Sequence, residues 1–92
     1  MIYISGRITG NPDYKKDFER GTKRAEAMDQ GVVINPALFE IDNGTWSDYM
    51  KLDLHMLTEC DAIYMLKGWK RSRGAKLEHR VAKALGLHIY YE

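Results

Sequence analysis

Four short apolar runs, separated by helical patterns, constrain the fold of this chain more than any other feature. The runs cover residues 1–5, 32–34, 62–66 and 87–91. Helical patterns cover about 13–28 and 46–59, and a third follows Ser72 and ends at Gly86. Regular alternation of strands and helices with short connections predicts a parallel sheet with right-handed crossovers and helices on both faces.

We therefore predict an α/β three-layer sandwich of the Rossmann or flavodoxin-like type, with a four-stranded parallel sheet in the order 2-1-3-4. This order places the topological switch point between strands one and three. Ligands of open α/β sheets bind at the carboxyl ends of the strands beside such a point. The loops after Ser5 and after Leu66 are therefore expected to flank one crevice.

The loop over residues 69–78 carries the most informative chemistry. Ser72 stands at the start of the third helix, where a serine caps the helix and free N–H groups favour an anion. Glu78 follows one turn later, with the small residues Gly74, Ala75 and Ala82 as its helical neighbours. Small neighbours would let a ligand reach the carboxylate. The plainer interpretations are that Ser72 is only a cap and that Glu78 is a solvated surface residue.

Two further positions have a functional and a plain interpretation of equal weight. Gly6 and Arg7 begin a glycine-bearing loop that lacks the end of a P-loop motif; it either presents N–H groups and Arg7 to a phosphate or is a simple turn. Asp53 lies on the apolar side of the second helix. A carboxylate there either has a catalytic task or is a boundary residue that pairs with a nearby lysine or caps a loop.

Length, charge and cysteine content exclude several classes of protein. Ninety-two residues predict one domain, and a net charge of +1 gives no global field for nucleic acid or membrane. No apolar run approaches the length of a membrane span. The single cysteine, Cys60, cannot form an internal disulfide and is typical of a reducing, cytoplasmic location. The three histidines have no metal-ligand spacing, so we predict no metal site.

Four short motifs, in order along nearly the whole chain, carry a family resemblance. They are Ile2-Tyr3-Ile4-Ser5-Gly6, Asn35-Pro36, Asp53-Leu54 followed by Cys60-Asp61-Ala62, and Ser72-x-Gly74-x-x-x-Glu78. With these motifs the chain resembles the nucleoside 2-deoxyribosyltransferase superfamily, within it a short branch of phages and bacteria. The last motif begins with Asp in the base-exchanging transferases and with Ser in the related 2-deoxynucleoside 5-phosphate N-hydrolases, so Ser72 indicates a phosphorylated ligand.

The resemblance implies an enzyme that cleaves or exchanges the base of a (deoxy)nucleoside 5-monophosphate. Glu78 would be the nucleophile that forms a covalent glycosyl ester, Asp53 the general acid, and Tyr3 the hydrogen-bond donor that aims Glu78. No metal or organic cofactor is implied. The residues expected to bind substrate are Ser5, Gly6, Arg7, Asn35, Trp69, Ser72 and Gly74.

Two other functions remain open at this point. The same pocket would serve a phage protein that binds or sequesters a nucleotide without turnover. A nucleic-acid-binding module is the least favoured, because its basic and aromatic residues form one loop on a near-neutral chain. We also expect a homodimer, with Trp46, Tyr49 and Trp69 covered near the mouth of the pocket. The residues of the nucleic-acid alternative are Lys67, Trp69, Lys70, Arg71, Arg73 and Lys76.

Overall fold

The computed structural model describes residues 1–28 and 31–92, and in it the predicted parallel sheet is confirmed. The strands pair in the order β2-β1-β3-β4, all parallel. Single 3-10 turns lie at Pro36–Leu38 and Trp69–Arg71. The strands are β1 (Ile2–Ser5), β2 (Val33–Ile34), β3 (Ala62–Met65) and β4 (His88–Tyr91), and the helices are α1 (Tyr14–Met28), α2 (Trp46–Thr58) and α3 (Arg73–Ala84).

Alternating side chains of the two central strands build a separate core on each face of the sheet. Residues i and i+2 of a strand point to the same face. Ile2 and Ile4 therefore pack with Phe18 and Ala25 of α1. The other face carries Tyr3, Ile63 and Met65 of the strands, packed with Leu57, Ala75 and Ala82 of α2 and α3. Helices on both faces make the three layers that the alternation predicts.

Side-chain caps explain where α2 and α3 begin. Thr45 accepts a hydrogen bond from the Asp48 N–H, and the Asp48 carboxylate accepts one from the Thr45 N–H. This reciprocal capping box makes Thr45 the cap of α2. Ser72 Oγ accepts from the Ala75 N–H at 3.1 Å and caps α3.

The buried stripe of α1 does not reach the end of the helix. Met28, its last residue, is 48% exposed. The buried residues are Phe18, Gly21 and Ala25. A Cβ at Gly21 would lie 2.5 Å from Leu66 Cδ2, so the missing side chain is what lets α1 approach Leu66, the residue after β3, this closely.

The remaining differences concern the ends of elements. The second strand is only two residues long, and the 3-10 turn after it begins at Pro36. Across the ranges that the structure describes, no helix has the length and apolar character needed to cross a membrane.

Candidate active site

The loops after β1 and β3 and the first turns of α2 and α3 surround one cavity of about 800 Å³. It lies at the carboxyl ends of the two central strands, which is the position that the predicted strand order implies. Its lining combines arginines, two buried or half-buried carboxylates and an aromatic wall. Of the predicted site residues it includes Tyr3, Gly6, Arg7, Asp53, Ser72, Gly74 and Glu78.

Glu78 lies deep in this cavity and is held by two hydroxyl groups. Its side chain is only 5% exposed. Tyr3 donates a hydrogen bond to Oε2 at 2.5 Å, and Ser5 donates one to Oε1 at 2.7 Å. Tyr3 and Ser5 are two residues apart in β1, so both point to the face on which α3 packs. The small residues Ala75 and Ala82 beside Glu78 let the helix sit against the strand.

Burial controls the protonation of this group. It raises the pKa of Glu78, the hydrogen bonds from Tyr3 and Ser5 oppose the rise, the charge of Asp53 adds a little to it, and the resulting pKa is about 8. Burial, and then the negative charge of Glu78, raise the pKa of Tyr3 well above its ordinary value. Tyr3 therefore keeps its proton and can donate it in a hydrogen bond across the physiological pH range.

Asp53 is the second carboxylate of the cavity. Trp46, Met50 and Asp53 follow one another at four and three residues along α2, so all three face the cavity. No hydrogen bond or salt bridge joins Asp53 to any residue that the structure describes. The alternative of a boundary carboxylate paired with a lysine is therefore wrong. Burial raises the pKa of Asp53 to about 6.

Cationic groups gather at the start of α3. Arg71 and Arg73 both line the cavity beside Ser72. The guanidinium of Arg73 lies 3.8 Å from the centre of the Trp46 ring, in cation–π contact. The Ser72 cap uses a lone pair of Oγ, which leaves the hydroxyl proton to be donated to a ligand.

The loop after β1 contributes a third arginine. Gly6 is buried against Leu66, where a Cβ would come within 2.8 Å of Cδ1. Gly10 has a φ of +78°, a conformation that glycine adopts at little cost, and lies next to the Arg7 side chain. Arg7 itself lines the cavity. The geometry thus brings the loop to the site, whether it binds a phosphate or only makes a turn.

Three residues predicted to bind substrate lie outside the cavity lining. Ser5 is fully buried behind Glu78. Asn35 caps the 3-10 turn, with Oδ1 accepting from the Ala37 N–H at 3.0 Å. Trp69 stacks on His79, with 4.3 Å between the ring centroids, and borders a separate cavity of about 260 Å³. These residues support the site's structure, and the Trp69 ring face is occupied by a histidine ring.

The aromatic side chains that line the cavity were only partly predicted. The spacing of Trp46 and Met50 on α2 indicates a shared face, but nothing in the sequence assigns Tyr14 or Phe39 to the site. Tyr49, predicted to be exposed, is half-buried, and its hydroxyl contacts the backbone N–H and C=O of Ile41. Phe39 is instead an exposed aromatic residue of the wall.

No group of three or more His, Cys, Asp or Glu residues that could hold a metal ion occurs in the described part of the chain.

Fold and site together define a Rossmann-like α/β protein with a hydroxyl-bound buried carboxylate at the switch point of a parallel sheet. The chain belongs to the family described as "Domain of unknown function (DUF4406)", whose model matches residues 1–91. No curated protein matches it.

Proposed function

We propose that this protein cleaves or exchanges the N-glycosidic bond of a (deoxy)nucleoside 5-monophosphate through a covalent intermediate on Glu78. The observation that carries the proposal is the arrangement of Glu78, whose two oxygens accept hydrogen bonds from Tyr3 and Ser5 while a second, unpaired carboxylate, Asp53, shares the cavity. A nucleophile and an acid in one cavity are the two groups that a double displacement at a sugar carbon requires.

In the first step a carboxylate oxygen of Glu78 forms a bond to C1′ of the sugar. The C1′–N bond breaks, its electron pair leaves with the base, and Asp53 gives its proton to the departing nitrogen. Tyr3 and Ser5 aim the nucleophile, since each holds one of its oxygens. The negative charge of the Glu78 carboxylate stabilises the positive character that develops at the sugar.

In the second step water, or the nitrogen of another base, attacks C1′ and displaces the Glu78 carboxylate. The proton of the attacking group returns to Asp53. Hydrolysis and base exchange therefore use the same first step and differ only in the second acceptor.

The pKa values of the pair determine how much of it is in the reactive form. They are about 8 for Glu78 and about 6 for Asp53, so between these values the pair holds one proton between two interacting groups. Glu78 has the higher pKa, so that proton lies mainly on Glu78, and the reactive arrangement, with the proton on Asp53, is a minor form of the pair. The hydroxyls of Tyr3 and Ser5 increase its share by stabilising the carboxylate form of Glu78. Activity is thus expected to be highest near neutral pH.

The lining of the cavity offers groups for both the phosphate and the base of a nucleotide. Ser72, Arg71 and Arg73 present a hydroxyl and two guanidinium groups to the 5-phosphate, which Arg binds with paired N–H donors. Tyr14, Phe39 and other apolar residues provide surfaces for the base.

The direct test measures, by chromatography, the release of free base from a panel of ribo- and deoxynucleoside monophosphates. Wild-type protein should release base from at least one, and Glu78→Gln should lower the rate by a factor of about 10³ or more. Glu59→Gln is the matched control, because Glu59 is exposed at the end of α2. Equal rates for wild type and Glu78→Gln would exclude the assigned nucleophile.

One observation favours a second function, a nucleotide-binding protein without turnover. With a pKa of about 8, Glu78 is largely protonated at neutral pH in the free protein and could donate a hydrogen bond to a ligand. Wild-type protein that binds a monophosphate in calorimetry but releases no base from any of the panel would select this function over the enzyme.

A further inference from the structure

The net charge of +1 conceals a strong separation of charge along the chain. Seven of the fourteen basic residues lie between positions 67 and 83, where Glu78 is the only acidic residue. Glu78 is buried. The other twelve acidic residues all lie outside this segment. The surface around α3 is therefore strongly positive although the whole molecule is nearly neutral, and such a patch attracts polyanions.

Four of these cations form a row on α3. Arg73, Lys76, Arg80 and Lys83 are spaced by three, four and three residues, which places them on one face of the helix, opposite the buried Ala82. All four are exposed, and none forms a salt bridge with a residue in the described ranges. Like charges at this spacing repel one another, so the row is costly without an anionic partner.

The row is continuous with the cavity. Its first member, Arg73, lines the cavity and is fixed against Trp46 at 3.8 Å. Arg71, one residue before Ser72, lines it as well. A chain of phosphates that leaves the phosphate end of the cavity therefore meets Lys76, Arg80 and Lys83 in succession.

We propose that the nucleotide in the cavity is part of a single-stranded nucleic acid, and that the row on α3 binds the phosphates of the adjoining strand. This rests on the proposed function for the occupant of the cavity. Ten residues of helix span about 15 Å. At roughly 3.4 Å of axis per phosphate on one strand, this length faces about four phosphates, one for each cation.

A single strand fits the site better than a duplex. Glu78 lies deep in the cavity, so C1′ of the nucleotide has to enter it. In a duplex this requires the nucleotide to be unpaired and turned out of the stack, at a cost of a few kcal/mol, whereas a single strand presents it directly. An acidic protein segment is the competing partner for a cationic row, and the test below distinguishes the two.

The test is the salt dependence of binding to a fluorescently labelled single strand of about 12 nucleotides, measured by anisotropy. The variant carries Lys76→Gln, Arg80→Gln and Lys83→Gln, and leaves the cavity-lining Arg73 in place. Between about 50 and 200 mM salt, log K of wild type plotted against log salt concentration should have a slope of about −3. The slope of the variant should be about −1, because three of the four phosphate contacts are removed. The control carries Lys16→Gln, Lys23→Gln and Lys51→Gln, which removes three exposed charges elsewhere and should change little.

The outcomes separate this inference from the proposed function. Loss of strand binding in the α3 variant, with wild-type release of base from the free monophosphate, supports the inference. Wild-type protein that acts on the free monophosphate but does not bind the strand overturns it and leaves the proposed function intact. Displacement of the strand by polyglutamate of equal charge as effectively as by unlabelled strand also overturns it, in favour of an acidic protein partner. Strand binding that depends on the row, without any action on free monophosphates, supports the row and counts against the enzyme.

Discussion

At the scale of single residues, the hydroxyl of Tyr3 is the group on which the ionisation of Glu78 depends most. Tyr3→Phe removes the 2.5 Å hydrogen bond and leaves the ring in the core. A hydrogen bond to a charged group contributes about 1.5–3 kcal/mol, so kcat/KM should fall by about ten- to a hundredfold. Because that bond lowers the pKa of Glu78, the higher pKa of the pair, the alkaline limb of the pH profile should also move to higher pH.

The control for Tyr3→Phe is Tyr64→Phe. Tyr64 is also a buried tyrosine of a central strand, but it packs on the opposite face of the sheet. It should leave both the rate and the pH profile unchanged. A profile that keeps its position in Tyr3→Phe would mean that Tyr3 has only a packing role.

The burial of Glu78 also has a consequence for stability. Its pKa in the folded protein is about 8, against an ordinary value of 4.5, so the folded state binds the proton more tightly than the unfolded chain does. Stability therefore falls as pH rises from about 4.5 to about 8. Glu78→Gln removes this loss, and its free energy of unfolding should gain on wild type by about 3 kcal/mol between about pH 5 and pH 8.

Urea unfolding at the two pH values measures this gain, and Glu59→Gln should show none of it. The same direction applies to Asp53, whose pKa is raised from 3.8 to about 6. Both variants keep Asp53, so both should still lose some stability as pH rises from 3.8 to about 6, as wild type does. If Glu78→Gln unfolds the protein at every pH, the carboxylate is a structural group and the nucleophile assignment fails.

At the scale of elements, the start of α3 combines a cap with the expected phosphate site. Ser72→Asp separates the two roles, because aspartate caps a helix about as well as serine does. The fold should therefore keep its stability, while the new charge repels a phosphate and weakens binding of a monophosphate by about 2 kcal/mol or more. Calorimetry with a monophosphate and with the matching unphosphorylated nucleoside measures the difference. Equal losses for both ligands would remove the phosphate assignment.

The elements themselves were largely predictable, for local reasons. Apolar runs of four or five residues define β1 and β3, and Ser72 marks the start of α3 without any long-range information. The sheet order followed from the handedness of crossovers and from the short connections. The burial of Gly21 was not predictable, since its close approach to Leu66, the residue after β3, depends on tertiary packing.

The site was predictable only where the motif or the helical period pointed to it. The small residues around Glu78 indicated an accessible carboxylate, and the resemblance implied the hydrogen bond from Tyr3; the structure adds the bond from Ser5, which was expected to bind substrate. Trp69 was expected at the cavity, but it lies in a 3-10 turn outside the cavity lining and stacks on His79, a contact that no sequence period shows. Phe39 enters the site from an irregular segment that has no periodicity at all.

At the scale of the whole molecule, the apolar surface near the cavity is consistent with the expected homodimer. Leu38, 77% exposed, and the exposed Phe39 and Trp46 lie on the segments that surround the mouth. Exposed apolar groups of this kind are covered in many assemblies. Light scattering at about tens of micromolar protein should give twice the mass of one chain. A single-chain mass at that concentration would contradict the dimer and leave the cavity open to solvent.

The most direct test of the central claim is capture of the sugar on Glu78. Wild-type protein is mixed with a monophosphate whose base it releases, quenched in acid during turnover, and examined by intact mass and by peptide mass spectrometry. A gain equal to one deoxyribose (or ribose) 5-phosphate residue, located on the peptide that contains Glu78 and absent from Glu78→Gln, is the result we predict. Base release that proceeds without any such adduct, or an adduct located on Asp53, would contradict the assignment of Glu78 as the nucleophile.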